Sequence, residues 1–209
     1  ISLEALEYAT IHAASVAASG AAALSAGLSI ALSGAGASAL NVINNTVQAY
    51  IADSTVTAES GDVIVQAWSS ASITALVGAA SGAVSGGIAA AAGAMGVSIA
   101  RNLVGRNAVD DATGLRNQVL AYVENSTVVS DGDVWIEATS TDTTSAVSFA
   151  GSVAIAAGVG GAAAGSGAEA SNRHSSKIRA FVLDSTVQAG LSIDVRAISD
   201  SRITQASAI

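Results

Sequence analysis

The sequence predicts an all-β, repetitive fold, a parallel β-solenoid whose Ala/Gly-rich strands pack tightly. Three observations carry that prediction. One phrase occurs three times, as Ala49-Tyr50-Ile51-Ala52-Asp53-Ser54-Thr55-Val56, Ala121-Tyr122-Val123-Glu124-Asn125-Ser126-Thr127-Val128 and Ala180-Phe181-Val182-Leu183-Asp184-Ser185-Thr186-Val187. Recurrence at long spacing marks stacked units, each leaving an apolar face for its neighbour to cover. In the small-residue runs the large side chains alternate, as in Leu28, Ile30, Leu32 and in Met95, Val97, Ile99, and period two belongs to strands. Finally, the 209 residues include 21 glycines and no proline. A proline-free chain suits a continuous ladder, because proline has no N–H to donate.

Taken in order, Ile1-Ser2-Leu3-Glu4-Ala5 reads as a strand entering the first Ala/Gly-rich run. Gly34-Ala35-Gly36-Ala37-Ser38-Ala39-Leu40-Asn41 leads into the first copy of the phrase and matches Gly165-Ser166-Gly167-Ala168-Glu169-Ala170-Ser171-Asn172 before the third. The middle lead-in is degenerate and ends in Ala100-Arg101-Asn102. Each copy is followed by a second alternating run, at 61–67, 132–138 and 191–197. Asn41 and Asn172 stand eight positions before Ala49 and Ala180, but Asn102 stands nineteen before Ala121, so the middle unit carries eleven extra residues, within 103–118. Without them a unit is about sixty residues, longer than the usual repeat, which predicts more than one rung per unit. One array spans 1–209, with units 1–69, 70–140 (insert near 103–118) and 141–199, and the start of the next at 200–209. Both ends read as cut repeats, so the chain is expected to be a slice of a longer protein.

Three stretches, 13–52, 63–100 and 143–168, hold no charge, and Gly78, Gly82 and Gly86 fall at the four-residue spacing of packed membrane helices. Their Ala, Gly and Ser supply little insertion energy, however, and each glycine costs a helix roughly 1 kcal/mol relative to alanine. Strands without membrane insertion are the expectation. Small inward residues let facing sheets approach closer than the usual separation of about 10 Å. Gly36 and Ala37 are expected at such tight places. Where the other copies have Gly34 and Gly36, the middle one has Met95 and Val97, which predicts a local distortion there.

The phrase from Val47 to Ala58, with Gly61-Asp62-Val63 after it and the Gly34 and Gly165 lead-ins before it, resembles repeats of giant bacterial exoproteins, the filamentous-haemagglutinin-like and leukotoxin-like β-solenoid adhesins. The resemblance covers nearly the whole chain. It implies a right-handed solenoid, secreted or displayed on a bacterial cell surface, that serves as a stalk, adhesive fibre or filament.

Chemistry is sparse in the residues. A net charge of -8 argues against nucleic acid, whose phosphates require clustered Lys and Arg. There is no cysteine, and the two histidines, His12 and His174, lie far apart outside any ligand spacing and read as solvated surface residues. Gly-x-Gly-x-x-Ala at Gly34 and Gly165 lacks the helix and acidic residue of a dinucleotide loop. No catalytic residue and no resident cofactor is predicted. Asp53, Asn125 and Asp184, each followed by Ser-Thr, read as turns in which the Asx side chain caps backbone amides. Calcium is the alternative at these turns, since Glu59, Asp62, Asp131 and Asp133 lie close in sequence.

Parity points Val63, Val65 and Ala67 inward and Ile64, Gln66, Trp68 and Trp135 outward. Exposed indoles call for a cover, so Trp68 and Trp135, with Tyr50, Tyr122 and Phe181 on one side of the stack, are the candidate lateral contact residues. The partners expected are further copies of this chain or flanking repeats. A glycan- or ice-binding solenoid and a membrane-active toxin or pore segment are the rival readings. Thr55, Thr127 and Thr186 recur only once per unit, which is sparse for an ice face.

Overall fold

The computed structural model describes residues 1–107 and 116–209 and is all-β, with 84% of the chain in strands and no helix among the described residues. In chain order the strands are β1 (Ser2–Leu24), β2 (Leu28–Ile43), β3 (Thr46–Ala52), β4 (Thr55–Ala58), β5 (Val63–Val104), β6 (Asn117–Glu124), β7 (Thr127–Ser130), β8 (Val134–Ser140), β9 (Thr143–His174), β10 (Ser176–Leu183), β11 (Thr186–Ala189), β12 (Ile193–Ser199) and β13 (Arg202–Ala208). They form three sheets, and every pairing is parallel. Two are small, ordered β3-β6-β10 and β4-β7-β11. In the third, β5 lies between β1 and β2 on one side and β8 and β9 on the other, with β12 and β13 beyond. Neighbouring strands come from successive passages of the chain. Asn41 pairs with Asn102, 61 residues on, and Asn102 with Asn172, a further 70.

The pairings of Ile43 with Val104 and of Thr46 with Gln118 bracket the insertion where the sequence places it. Its centre, 108–115, lies outside the described residues.

One unit makes one passage, not several rungs as its length suggested. The surplus goes into the large sheet, which folds over on itself. β5 runs out to Gly86, turns at Gly87 and Ile88, and returns from Ala89 to Val104 as a second layer facing the first. Ala75 and Val77 of the outgoing layer thereby pack against Ala100 of the returning one. The strands on either side do the same, giving a two-layered blade that projects from a base where the three sheets meet. The corner shortens from passage to passage: Ser25, Ala26 and Gly27, then Gly87 and Ile88, then Gly158 alone. Crowding explains the glycines, since a Cβ on Gly87 would sit 2.7 Å from the Gly27 carbonyl oxygen. A two-residue corner also switches parity, so the inward positions of β5 are odd going out and even coming back.

The base holds the branched side chains. Val47, Ile51, Val63, Val65, Val119, Val123, Val128, Val134 and Ile136 form one buried cluster, completed by Ala49, Ala67, Ala121 and Ala138. The expected inward set Val63, Val65 and Ala67 is fully buried. Inside the blade the contacts are instead alanine on alanine, as among Ala31, Ala83, Ala92 and Ala94. The layers are close at Gly96, where a Cβ would lie 2.8 Å from the Gly151 carbonyl oxygen and 3.5 Å from that of Ala79.

Two expectations fail here. Gly36 does not face the tight interior: the alternation that turns Ala37 toward Ala75, Val77 and Ala100 turns Gly36 outward, with nothing within 4 Å of a Cβ built on it. Met95 and Val97 do not distort the middle passage either. They also face outward, beside Gly34 and Gly36, and the register runs unbroken from Ala89 with Val159 to Val104 with His174.

Candidate interaction surfaces

Parallel, in-register stacking places like residues on like, and the phrase that repeats in sequence becomes a set of ladders in space. Tyr50 pairs with Tyr122 and Tyr122 with Phe181 on the outer face of the β3-β6-β10 sheet. Their rings stack at 5.1 and 5.0 Å between centroids, 7° and 2° from parallel. The ring faces are therefore turned toward one another and the edges toward solvent. Burial between neighbouring rings raises the Tyr122 phenol above its ordinary range, with Tyr50 and Glu124 adding to the effect. The Arg179 guanidinium lies 5.4 Å from the Phe181 ring centre.

Trp68 and Trp135 stand apart from this ladder, on the large sheet. Trp135 pairs with Ile64 and Trp68 with Thr139, so the indoles are also apart from each other. Trp68 is partly covered, edge-to-face with Tyr8 at 5.6 Å. Trp135 is 41% exposed, donates its Nε1–H to Glu137 (3.1 Å), and has the Arg196 guanidinium 5.4 Å from its ring. Arg196 is itself held by Asp194. The five candidate lateral residues thus fall into one continuous column and two separate indoles.

At the turn between β3 and β4 and its counterparts, Asp53, Asn125 and Asp184 adopt left-handed backbone, with φ of 49°, 47° and 46°. Asp and Asn tolerate that region best among residues with a side chain. The capping expected of them is done by the next residue. Ser54, Ser126 and Ser185 each donate Oγ–H to the carbonyl two residues back, at 2.7 Å. The Ser126 and Ser185 hydroxyls also accept the amides of Ser54 and Ser126, at 3.0 Å. Two of the four carboxylates weighed for calcium are used at the following turn, where Asp62 Oδ1 accepts the amide of Asp133 (2.8 Å) and Asp133 Oδ1 that of Ser192 (2.9 Å). Among the described residues no three His, Cys, Asp or Glu side chains gather as a metal site.

Two buried polar features went unread in the sequence. Asn41 Nδ2 donates to Asn102 Oδ1 (2.9 Å) and Asn102 Nδ2 to Asn172 Oδ1 (2.8 Å), an asparagine ladder closing the base of the blade. The aligned asparagines at inward parity were its signal. Second, His174 is not the solvated surface residue expected. It is half-buried, with Nε2 2.8 Å from Thr144 Oγ1, and burial lowers its pKa while Asp142 pulls the other way. Asp142, fully buried, accepts from Ser140 (3.1 Å) and Ser176 (3.2 Å). His12 is exposed.

No known family model matches this sequence, no curated protein matches it significantly, and no solved structure matches it.

Proposed function

We propose that this chain is a length of right-handed, Ala/Gly-rich β-solenoid whose work is structural: a stalk, adhesive fibre or filament of a large bacterial protein, secreted or held at the cell surface. The supporting observation is the unbroken vertical register. In all three sheets, strands pair with their counterparts from other passages, so the aromatic, serine and asparagine ladders run along one axis. β1 and β2 at one side of the large sheet, and β12 and β13 at the other, each leave a free ladder edge. Apolar side chains stand uncovered there, Leu191 and Ile193 at 77% and 49% exposure. Free edges recruit further strands, so the expected partners are more copies of this chain or adjoining repeats.

The geometry favours this reading over a glycan-binding or ice-binding surface. A sugar platform presents ring faces, whereas in the stack of Tyr50, Tyr122 and Phe181 the central ring has both faces covered and each outer ring has one. An ice face needs ordered threonine columns. Thr55, Thr127 and Thr186 make one, but the next outward column on that sheet reads Thr57, Val129, Gln188. No cofactor, nucleic acid or catalytic step enters the proposal.

Electron microscopy and fibre diffraction of the concentrated protein provide the test. Axial stacking should give unbranched particles with a meridional repeat of about 4.8 Å, the spacing between strands. A monodisperse monomer at millimolar concentration would sink the proposal.

A further inference from the structure

The blade keeps alanine and scattered serine inside and its larger apolar side chains outside, the reverse of an ordinary two-layer sheet. Hydroxyls face inward: Ser19 bonds Ser33 at 2.7 Å and Ser98 bonds Ser148 at 2.8 Å across the layers. Register and parity fix what faces outward on the returning layer. Over the paired residues 28–36, 89–97 and 159–167, those positions carry only Leu, Ile, Val, Met, Ala and Gly, and the next row, Ser38, Ile99 and Glu169, is polar at its sides. Leu32 is 74% exposed and Met95 64%. Monomeric proteins seldom leave a contiguous apolar face of this extent in water.

The face has relief as well as polarity. Leu32 lies over Gly93, its Cδ2 2.9 Å from where a Cβ would be, and Leu32 and Met95 border a shallow groove floored by Gly34, Gly93 and Gly165. Knob and groove are adjacent on one surface. A twofold-related copy can therefore seat its knobs in the grooves of the first, as an isologous contact requires.

We propose that this returning face is a self-association surface whose occupant is the same face of a second copy. Charge supports that occupant. Two chains of net charge -8 repel, yet this face holds no charge, and the nearest pair, Arg101 with Glu169 at 2.8 Å, is neutral as a unit. Area sets the strength. Three strands about 4.8 Å apart and roughly ten residues at about 3.3 Å each bury about 1,000 Å² in total, at the weak end of specific interfaces. Each further passage adds about 300 Å². Lateral contact is therefore weak for this chain alone and strengthens steeply with the number of passages in an array. This dependence on array length rests on the solenoid reading; the face itself does not.

Sedimentation velocity over a concentration series separates lateral from axial contact. Met95→Glu, at an exposed outward position, should weaken lateral dimerisation at least tenfold while leaving axial fibres unbranched and unpaired. Val195→Lys, at the uncovered end of the base core, should stop axial growth and leave the lateral dimer. Circular dichroism confirms that both variants keep the fold. Because the chain has no cysteine, Met95→Cys adds a single thiol, and a short bis-maleimide should link it between copies. The inference is overturned if Met95→Glu pairs as the unsubstituted chain does, or if Met95→Cys does not crosslink at concentrations where dimers sediment. It is equally overturned if the apolar face instead binds phosphatidylcholine vesicles in flotation and Met95→Glu abolishes that binding. Loss of axial fibres alone would count against the stalk reading and leave this one standing.

Discussion

In the base, Val63, Val134 and Ile136 fill the space between three sheets with branched side chains, whereas in the blade Ala83, Ala92 and Ala94 separate two layers that nearly touch at Gly96. Both regions are parallel, in register and drawn from the same passages, so the backbone ladder does not distinguish them. Side-chain volume does. Apolar area buried by large residues holds the base together at about 25 cal/mol per Å². The blade buries little area per residue and relies on ladder hydrogen bonds and on dispersion across a thin, close-packed seam. The two regions should therefore fail in opposite directions, the base by losing volume and the blade by gaining it.

The largest effect is expected in the base. Ile136 is fully buried at the centre of its cluster, and Ile136→Ala should cost about 2–5 kcal/mol through lost transfer energy plus an unfilled cavity. In the blade the damaging change is enlargement. Ala100 is fully buried against Ala75 and Val77, and Ala100→Leu should cost about 1–3 kcal/mol by prising the layers apart. Gly36→Val, outward in open space, should stay within about 0.5 kcal/mol. Urea titration of the three variants checks the set. An Ala100→Leu as stable as Gly36→Val would show that the seam is loose.

Hydroxyls sharpen the comparison within the blade. Ser98 and Ser148 satisfy one another, so Ser98→Ala strands a buried oxygen and should cost about 1 kcal/mol. Ser85 is fully buried with its Oγ unpaired, so Ser85→Ala should be neutral or stabilising by a similar amount. Opposite signs for the same chemical change, measured by denaturation midpoint, are the expected result.

How much of this was legible follows from what leaves a mark in sequence. The aromatic column was readable because Tyr50, Tyr122 and Phe181 sit inside a phrase preserved in all three passages. The insertion was readable because the asparagines before it and the phrase after it fix both its ends. The blade was not, since outgoing and returning layers share one period and one composition. Its corner also has no common signature: Ser25-Ala26-Gly27, Gly87-Ile88 and Gly158 look unrelated until register aligns them. The parity of Gly36 was misjudged for the same reason. Alternation says which residues share a face, not which face is inside, and in the blade the larger residues are outside. The candidate contact residues were legible one by one. Their division between two sheets depends on topology that no local pattern encodes.

The smallest effect tests the junction between the two regions, where β9 leaves the blade and β10 enters the base. His174 sits there, bonded to Thr144 and near Asp142, and burial holds its pKa below the ordinary 6.5 even though Asp142 opposes the shift. Well above pH 6.5 the imidazole is neutral in both folded and unfolded chains and contributes no pH dependence. As pH falls through that value, the unfolded chain takes up a proton that the folded chain resists. Stability therefore declines with falling pH, and the decline from this group ends once pH passes below the folded-state pKa. His174→Gln keeps a hydrogen-bonding side chain at the junction and removes the titration. Denaturation midpoints at pH 7.5 and 5.5 should show a smaller acid loss for His174→Gln than for the unsubstituted chain. Equal losses in the two proteins would mean that the junction admits water freely and that blade and base are less tightly joined than their shared ladder implies.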